Sequence, residues 1–253
     1  MIQLKTLQEI ELMAEGGRRL AEVLKELKRA IRVGVSAKFL DQLAHKLIKD
    51  RGAEPAFLNY RPAGSRKPYP YSICTSMNDI VVHGLPSDYV IKDGDLVKLD
   101  LGLKYKNFFV DAAMTVPAGN AGQEAKRLAK VAEDALSKGI AEARAGKTTG
   151  DIGYAIERHV KKNEMSVIKS LTGHGIGRDL HEDPAVFNFG ERGGGIELET
   201  GMVIAIEPMI AIGSGGIKQL KDDSFATRDG SLSAHFEHTV AVTDKGPRIL
   251  TKS

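Results

Sequence analysis

Thiol and indole groups are nearly absent from this 253-residue chain, which has a single cysteine, Cys74, and no tryptophan. One thiol excludes an intramolecular disulfide framework and a zinc site built from several cysteines. The sequence also contains no run of 18 apolar residues, and its amphipathic N-terminal segment lacks the basic and apolar stretches of a signal peptide. We therefore expect a cytoplasmic protein that does not contact membranes.

Charge of neither sign dominates the composition. The chain has 36 basic and 33 acidic residues, a formal net charge of +3. So small an excess gives no indication of DNA or RNA as a partner. The hydrophobic content of 42% is typical of a globular protein, and the length allows one large domain or two fused halves.

Apolar residues at helical spacing predict four helices, which alternate with two strand-rich regions. Thr6 and Glu9 form a capping box at the start of the first helix. The other helices are expected after a restart at Ser36, over about 121–144 and after a cap at Thr149, and the strands over about 73–116 and from about 165 onward.

The order of helix, glycine, helix and strands occurs twice, and short segments match between the two copies. DGDLVKLD aligns with TGMVIAIE, which places Asp100 opposite Glu207, and FVDAAMTV resembles FEHTVAV, which places Asp111 near Glu237. The halves, about 1–117 and 118–253, therefore resemble diverged copies of one unit. We expect an α+β fold with one joined, largely antiparallel sheet covered by helices, and functional residues where the halves meet.

Asp100 and Asp111 lie on adjacent apolar strands, where aspartate is uncommon. A two-residue turn at Tyr105 and Lys106 predicts that the two carboxylates face each other directly, with Cβ atoms about 5 Å apart. Like charges in such a pair repel each other unless one is protonated or a cation lies between them. Lys98, on the same face of the strand as Asp100, is an alternative partner.

The second half adds Glu207 and Glu237 on further apolar strands, and His174 in the glycine-rich string GHGIG. That string lacks the Gly-Lys-Ser/Thr sequence of a phosphate-binding loop, so it does not indicate a nucleotide site. Four carboxylates and one imidazole form a mixed oxygen and nitrogen donor set. This set suits two divalent ions such as Mn, Fe(II), Co or Zn, bridged by shared carboxylates.

The ordered set of these acidic residues and His174 resembles the five metal ligands of the type I methionine aminopeptidases, which have the pita-bread fold. The strings CTSMNDIVVHGLP, KLDLG, GHGIGRDLHEDP, IEPM and SLSAHFEHTV carry the resemblance, which covers the whole chain. It implies a single catalytic domain over 1–253 with pseudo-twofold halves, a curved and mainly antiparallel sheet, and two divalent metal ions.

The resemblance also implies a role for each proposed ligand. Asp100 would bind one metal through both carboxylate oxygens, and Asp111 and Glu237 would bridge both metals. His174 and Glu207 would complete the other site. A metal-activated bridging water would be the nucleophile.

Further roles follow from the same resemblance. Glu207 would shuttle a proton from the water, His83 would contact the substrate backbone and assist proton transfer, and His181 would hydrogen-bond the scissile carbonyl. Tyr60 and Cys74 resemble residues of the methionine pocket. The remaining histidines are expected to be structural: His45, His159, His235 and His238.

The implied reaction is hydrolysis of the first peptide bond of a nascent polypeptide, which releases methionine when the second residue is small. The partners would be nascent N-termini and, as a second candidate through the basic loop 61–67, the ribosome, with the protein acting as a monomer. Two alternatives are a related pita-bread peptidase that cleaves before proline and a non-catalytic binding protein on the same scaffold.

Three features depart from the family pattern and bear on methionine selectivity. The loop over 61–73 is longer than expected, and Leu180 stands where an aromatic residue is usual. Ser224 or Phe225 would replace a tryptophan that the family often has.

Overall fold

A computed structural model describes residues 2–61 and 67–252 of the chain, so most of the basic loop 61–67 lies outside the described residues. The four predicted helices are confirmed. They are α1 (Leu7–Ala30), α2 (Ala37–Asp50), α3 (Gln123–Glu142) and α4 (Thr149–Lys162).

The strands of the described residues follow the two helix pairs and lie in the two predicted regions, except for a two-residue strand at Glu54–Pro55 that was not predicted. Those of the first region are β1 (Glu54–Pro55), β2 (Cys74–Met77), β3 (Ile80–Val82), β4 (Leu96–Tyr105) and β5 (Phe108–Pro117). Those of the second are β6 (Ser166–Val167), β7 (Thr172–Gly175), β8 (Glu182–Phe187), β9 (Val203–Ile206), β10 (Met209–Ala211), β11 (Ile217–Gln219), β12 (Phe225–Thr227), β13 (Ser233–His235), β14 (Glu237–Thr243) and β15 (Gly246–Ile249).

Side-chain caps fix the starts of helices α1 and α4. At α1, the Thr6 hydroxyl accepts a hydrogen bond from the backbone N–H of Glu9, and the Glu9 carboxylate accepts one from Thr6, so the predicted capping box is confirmed. At α4 the cap is Thr148, one residue earlier than predicted, because Asp151 three residues later completes a second capping box.

One sheet joins the two halves of the chain. Its strand order is β1-β4-β5-β14-β9-β7-β8, with β2 on β4 and β15 on β14, and its pairings are antiparallel. The hairpin β4–β5 of the first half meets the pair β14–β9 of the second half along β5 and β14. The predicted joined antiparallel sheet is therefore confirmed.

The helices pack on one face of this sheet, and each pair covers the strands of its own half. Leu99 and Leu101 of β4 are fully buried in a core shared with α1 and α2, whereas Ile204 of β9 and Val240 of β14 lie in a core shared with α3 and α4. Because side chains alternate along a strand, Asp100 points away from the helices. The sequence thus separates an apolar, helix-facing side from a side that carries carboxylates.

The turn between β4 and β5 lies one residue later than predicted. Its central residues are Lys106 and Asn107, both with positive φ (47° and 69°), as in a type I′ hairpin turn. Asp100 therefore lies opposite Ala113 and Asp111 opposite Gly102, so the predicted direct pairing of the two aspartates is wrong. Both still share one face, because moving the turn by one residue shifts the pairing by two.

Two adjacent glycines of α1 differ in how closely another segment approaches them. A Cβ at Gly17 would lie 2.1 Å from the backbone oxygen of Leu250, whereas a Cβ at Gly16 would come no nearer than 3.3 Å to the Cβ of Tyr105. The backbone of Leu250 cannot yield without moving the C-terminal segment. The absence of a side chain at Gly17 therefore lets this segment lie on the helix.

We predict that Gly17→Ala lowers the free energy of unfolding by about 2 kcal/mol or more, because the clash outweighs the gain of about 1 kcal/mol that alanine gives inside a helix. Gly16→Ala is the matched control in the same turn of helix and should change stability by less than about 1 kcal/mol. Urea unfolding followed by circular dichroism measures both. Equal stability of the two variants would contradict the close approach.

Candidate metal centre and active site

Three carboxylates lie side by side across the middle of the sheet. Asp100 on β4 is opposite Ala113 on β5, which in turn is opposite Glu237 on β14. Glu207 directly follows β9, whose last residue pairs with the residue after Glu237. Residues opposite each other share a face of the sheet, so these carboxylates point to the same side.

A second row, one step along the strands, brings in the other two predicted ligands. Asp111 on β5 is hydrogen-bonded to Thr239 on β14: its backbone N–H donates to the threonine hydroxyl at 3.0 Å. Thr239 lies opposite Ala205 on β9, and Ala205 lies opposite His174 on β7. The five residues predicted from the sequence thus come from five strands or strand ends and converge on one face.

The distances between these side chains suit a shared cation. Ligand atoms of Asp111, His174 and Glu237 all lie within 4.8 Å of one another. The Nε2 atom of His174 is 3.5 Å from Oδ2 of Asp111 and 3.6 Å from Oε1 of Glu207. Its Nδ1 atom lies 2.8 Å from the backbone oxygen of Gly175, which leaves the Nε2 lone pair for a metal.

Burial makes this group of carboxylates unstable as free anions. It raises the pKa of Asp100 and of Asp111 to about 7 and that of Glu207 to about 8, and it raises the pKa of Glu237 well above its usual value. Neighbouring carboxylates add to the rise at Asp100, Glu207 and Glu237. A divalent cation would offset both burial and repulsion, so the residues present fit a metal site.

Lys98 does not supply the missing positive charge. Its side chain is fully buried, but its ammonium group donates hydrogen bonds to the backbone oxygens of Asn78 at 2.8 Å and Ser233 at 3.0 Å. In the described part of the chain no ion pair joins it to Asp100. The alternative explanation of Asp100 as a lysine partner is therefore wrong.

Two further imidazoles lie beside the carboxylates. The ring of His181 is 4.3 Å from that of His174 between centroids, and its Nδ1 atom is 2.7 Å from the hydroxyl of Tyr60. Burial, together with the neighbouring imidazoles, lowers the pKa of His181 to about 3. It is therefore neutral near pH 7 and able to donate one hydrogen bond.

The second imidazole, that of His83, is placed by an unusual backbone conformation. His83 has a φ of 58°, and its ring packs edge-on against Phe225 with centroids 5.8 Å apart. Loss of hydration lowers its pKa as well. Phe225, rather than Ser224, thus lies at the site, because the Ser224 hydroxyl is buried and donates to Asp222 at 2.6 Å.

Cys74 lies on β2 directly opposite Asp100. Its side chain is buried, and burial raises the pKa of the thiol well above its usual value. A protonated, buried thiol is a poor nucleophile. Cys74 therefore lies next to Asp100 as a buried, protonated thiol, and its role in a methionine pocket stays a prediction. Leu180, by contrast, is buried in the apolar core on α1 and α2.

Sequence reasoning missed His235, which had been predicted to be structural. Its Nε2 atom lies 3.3 Å from Oε2 of Glu207, so it belongs to the site. The position of His235 two residues before Glu237 was the one available signal, since such residues share a strand face. His238, in contrast, lies on the helix-facing side and contacts the Thr251 hydroxyl at 2.8 Å.

Within residues 2–61 and 67–252, no helix is long and apolar enough to cross a bilayer.

Comparison with known proteins agrees with this geometry. The model of metallopeptidase family M24 matches residues 11–244. Methionine aminopeptidase 1 of Bacillus subtilis is 44% identical over 253 residues, with 100% of both chains covered, and the methionine aminopeptidase of Clostridium perfringens is 43% identical, with 99% of both covered.

Solved structures give the same relationship. The crystal structure of methionine aminopeptidase from Thermotoga maritima has a TM-score of 0.95 and 39% identity, with both chains fully covered. A Xaa-Pro dipeptidase from Bacillus anthracis has a TM-score of 0.79 and 23% identity over 99% of this chain and 62% of its own, a likeness in fold alone. The predicted pita-bread fold and the resemblance to type I methionine aminopeptidases are thereby confirmed, and the chain belongs to metallopeptidase family M24.

Proposed function

We propose that this chain is a methionine aminopeptidase, which removes the N-terminal methionine from nascent polypeptides when the second residue is small. One observation carries the proposal: the five proposed metal ligands share one sheet face, and the ring of His181 lies 4.3 Å from that of His174. The relatives named methionine aminopeptidase, which match the full chain at 43–44% identity, support the same activity.

The proposed metal ligands are Asp100, Asp111, His174, Glu207 and Glu237. We propose two divalent ions, drawn from Co, Mn, Fe(II) and Zn, because the set mixes hard carboxylate oxygens with one imidazole nitrogen. When bound, such ions polarise the scissile carbonyl and activate a water molecule. Removal of the ions would leave the buried carboxylates mutually repelling.

The surrounding side chains orient the peptide and move protons. His181, whose Nδ1 atom contacts the hydroxyl of Tyr60, is proposed to donate its Nε2–H to the scissile carbonyl oxygen. His83 is proposed to contact the substrate backbone and assist proton transfer. Glu207 is proposed to take the proton from the attacking water and pass it to the departing amine.

The methionine side chain is proposed to lie against Tyr60, Cys74 and Phe225. Cys74 lies opposite Asp100 in the sheet. Phe225 packs against the ring of His83, and the hydroxyl of Tyr60 contacts His181. Phe225 offers an apolar ring where related enzymes often have tryptophan. A flexible thioether packs well against such rings.

We propose that the whole chain, 1–253, is one catalytic domain that acts as a monomer in the cytoplasm. Asp100 and Asp111 come from the first half and the other three ligands from the second, so neither half holds a complete set. The ribosome remains a second proposed partner, near nascent N-termini.

The two alternative functions have less support. Identity to the Xaa-Pro dipeptidase is 23%, against 39% to the methionine aminopeptidase of Thermotoga maritima. A non-catalytic binding protein would not need the complete set of buried carboxylates. Holding them together is unfavourable, because burial raises the pKa of each one.

A peptide assay tests the activity. With Mn or Co, the purified protein should release methionine from Met-Ala-Ser and leave Met-Lys-Ser intact, because the proposed specificity requires a small second residue. Free methionine is measured by chromatography, with X-Pro dipeptides as the comparison. Inactivity with every metal would contradict the enzyme, and faster cleavage of the X-Pro substrates would contradict the specificity.

The bridging role of Asp111 is tested by Asp111→Asn. We predict a loss of activity of about a hundredfold or more and weaker Mn binding by calorimetry, because an amide supplies one neutral oxygen in place of a bridging anion. Asp88→Asn is the matched control, since that carboxylate is 92% exposed. It should leave both quantities unchanged, and near-normal turnover of Asp111→Asn would refute the role.

Metal binding should strengthen as the pH rises from 6 to 8.5. The carboxyl pKa values of Asp100 and Asp111 are raised to about 7 and that of Glu207 to about 8, so at pH 6 protons occupy the site and must be displaced. Calorimetric titration with Mn in two buffers of different ionisation enthalpy measures this release. The number of protons released on Mn binding should fall toward pH 8.5. A pH-independent affinity without proton release would show that the carboxylates are not the ligands.

A further inference from the structure

His235 is held rigidly at the end of β13, next to the proposed metal centre. Its backbone N–H donates to the hydroxyl of Thr115 at 2.9 Å, and that hydroxyl contacts the backbone oxygen of His235 at 2.8 Å. The residue also pairs with Met209 on β10. With 1% of its surface exposed, the imidazole has little freedom to turn elsewhere.

The Nε2 atom of His235 lacks a well-formed hydrogen bond within the described part of the chain, although it is buried. Its nearest charged neighbour is Oε2 of Glu207, at 3.3 Å. A buried nitrogen without a partner is unfavourable and uncommon in native proteins. A small turn of either side chain would complete a hydrogen bond between them.

Glu207 is thereby placed between two imidazoles, one at each carboxylate oxygen. Oε1 faces Nε2 of His174 at 3.6 Å, and Oε2 faces Nε2 of His235 at 3.3 Å. The backbone oxygen of Glu207 also accepts a hydrogen bond from the side chain of Asn188 at 3.0 Å. Since His174 is itself a proposed ligand, Oε1 is the oxygen on the metal side.

We propose that His235 is a positioning residue, whose Nε2–H holds Oε2 of Glu207 so that Oε1 is directed toward the metal bound by His174. This inference rests on the proposed assignment of Glu207 as a metal ligand. Hydrogen bonds from outside the ligand set orient metal-bound carboxylates and tune their affinity. His235 would supply that bond for the ligand that is also proposed to move protons.

A purely space-filling role for His235 predicts a different outcome. If only volume matters, leucine fills the site as well as histidine and removes an unpaired buried nitrogen, so metal binding is kept. If the Nε2–H matters, glutamine preserves the function because its amide N–H has similar reach, whereas leucine does not. The two substitutions therefore separate the explanations.

The test is Mn binding by calorimetry to the full chain carrying His235→Leu or His235→Gln. We expect His235→Leu to weaken binding about tenfold or more and His235→Gln to stay within about threefold of the unchanged protein. His238→Leu, a histidine on the opposite face of the sheet, is the control and should bind normally. Unchanged affinity of His235→Leu, or equal losses with leucine and glutamine, would overturn the proposal.

Glu207→Gln separates this proposal from the ligand assignment on which it rests. If Glu207→Gln binds Mn as tightly as the unchanged protein, Glu207 is not a metal ligand. If Glu207→Gln binds Mn more weakly but His235→Leu binds it normally, only the role of His235 is refuted. Should His235→Leu fail to fold, ¹⁵N chemical shifts of His235 in the Zn-loaded protein decide the matter. A protonated Nε2 supports the proposal, and an unprotonated one overturns it.

Discussion

Repulsion among four carboxylates in one buried place is the constraint on which the rest of this structure depends. Each lies on a strand or at a strand end, and burial raises the pKa of each. The sheet tolerates them because its other face is apolar and packs on helices, as Leu99 and Leu101 show on either side of Asp100. The energy that keeps this arrangement folded thus comes from the helix side, while the chemistry lies on the opposite side.

The two halves contribute unequally to the centre. The first half supplies one hairpin with two aspartates, and the second supplies an imidazole and two glutamates from three separate segments. They meet where β5 lies against β14, and there the Thr239 hydroxyl binds both the backbone and the carboxylate of Asp111. The contact that closes the sheet therefore also fixes a proposed bridging ligand. Formation of the joint sheet therefore brings Asp111 of the first half and Glu237 of the second onto one face.

Local patterns predicted most of the fold, and contacts between distant segments account for what was missed. The capping box at Thr6 and the shared face of the aspartates depend on residues close in sequence. The turn was predicted one residue too early, at Tyr105 and Lys106, whereas Asn107 adopts the left-handed conformation readily and occupies the second central position. His235 was missed because its contact with Glu207 arises from the pairing of β10 with β13, two segments that are separated in the sequence.

The hairpin of β4 and β5 also restricts how this chain can vary in length. One residue added between Asp100 and the turn would send the side chains on one side of the insertion to the opposite face, and an aspartate would enter the apolar core under α1. Two added residues would preserve the face and only lengthen the hairpin. In related sequences, insertions and deletions between these aspartates should therefore occur in even numbers, or outside the paired strands altogether.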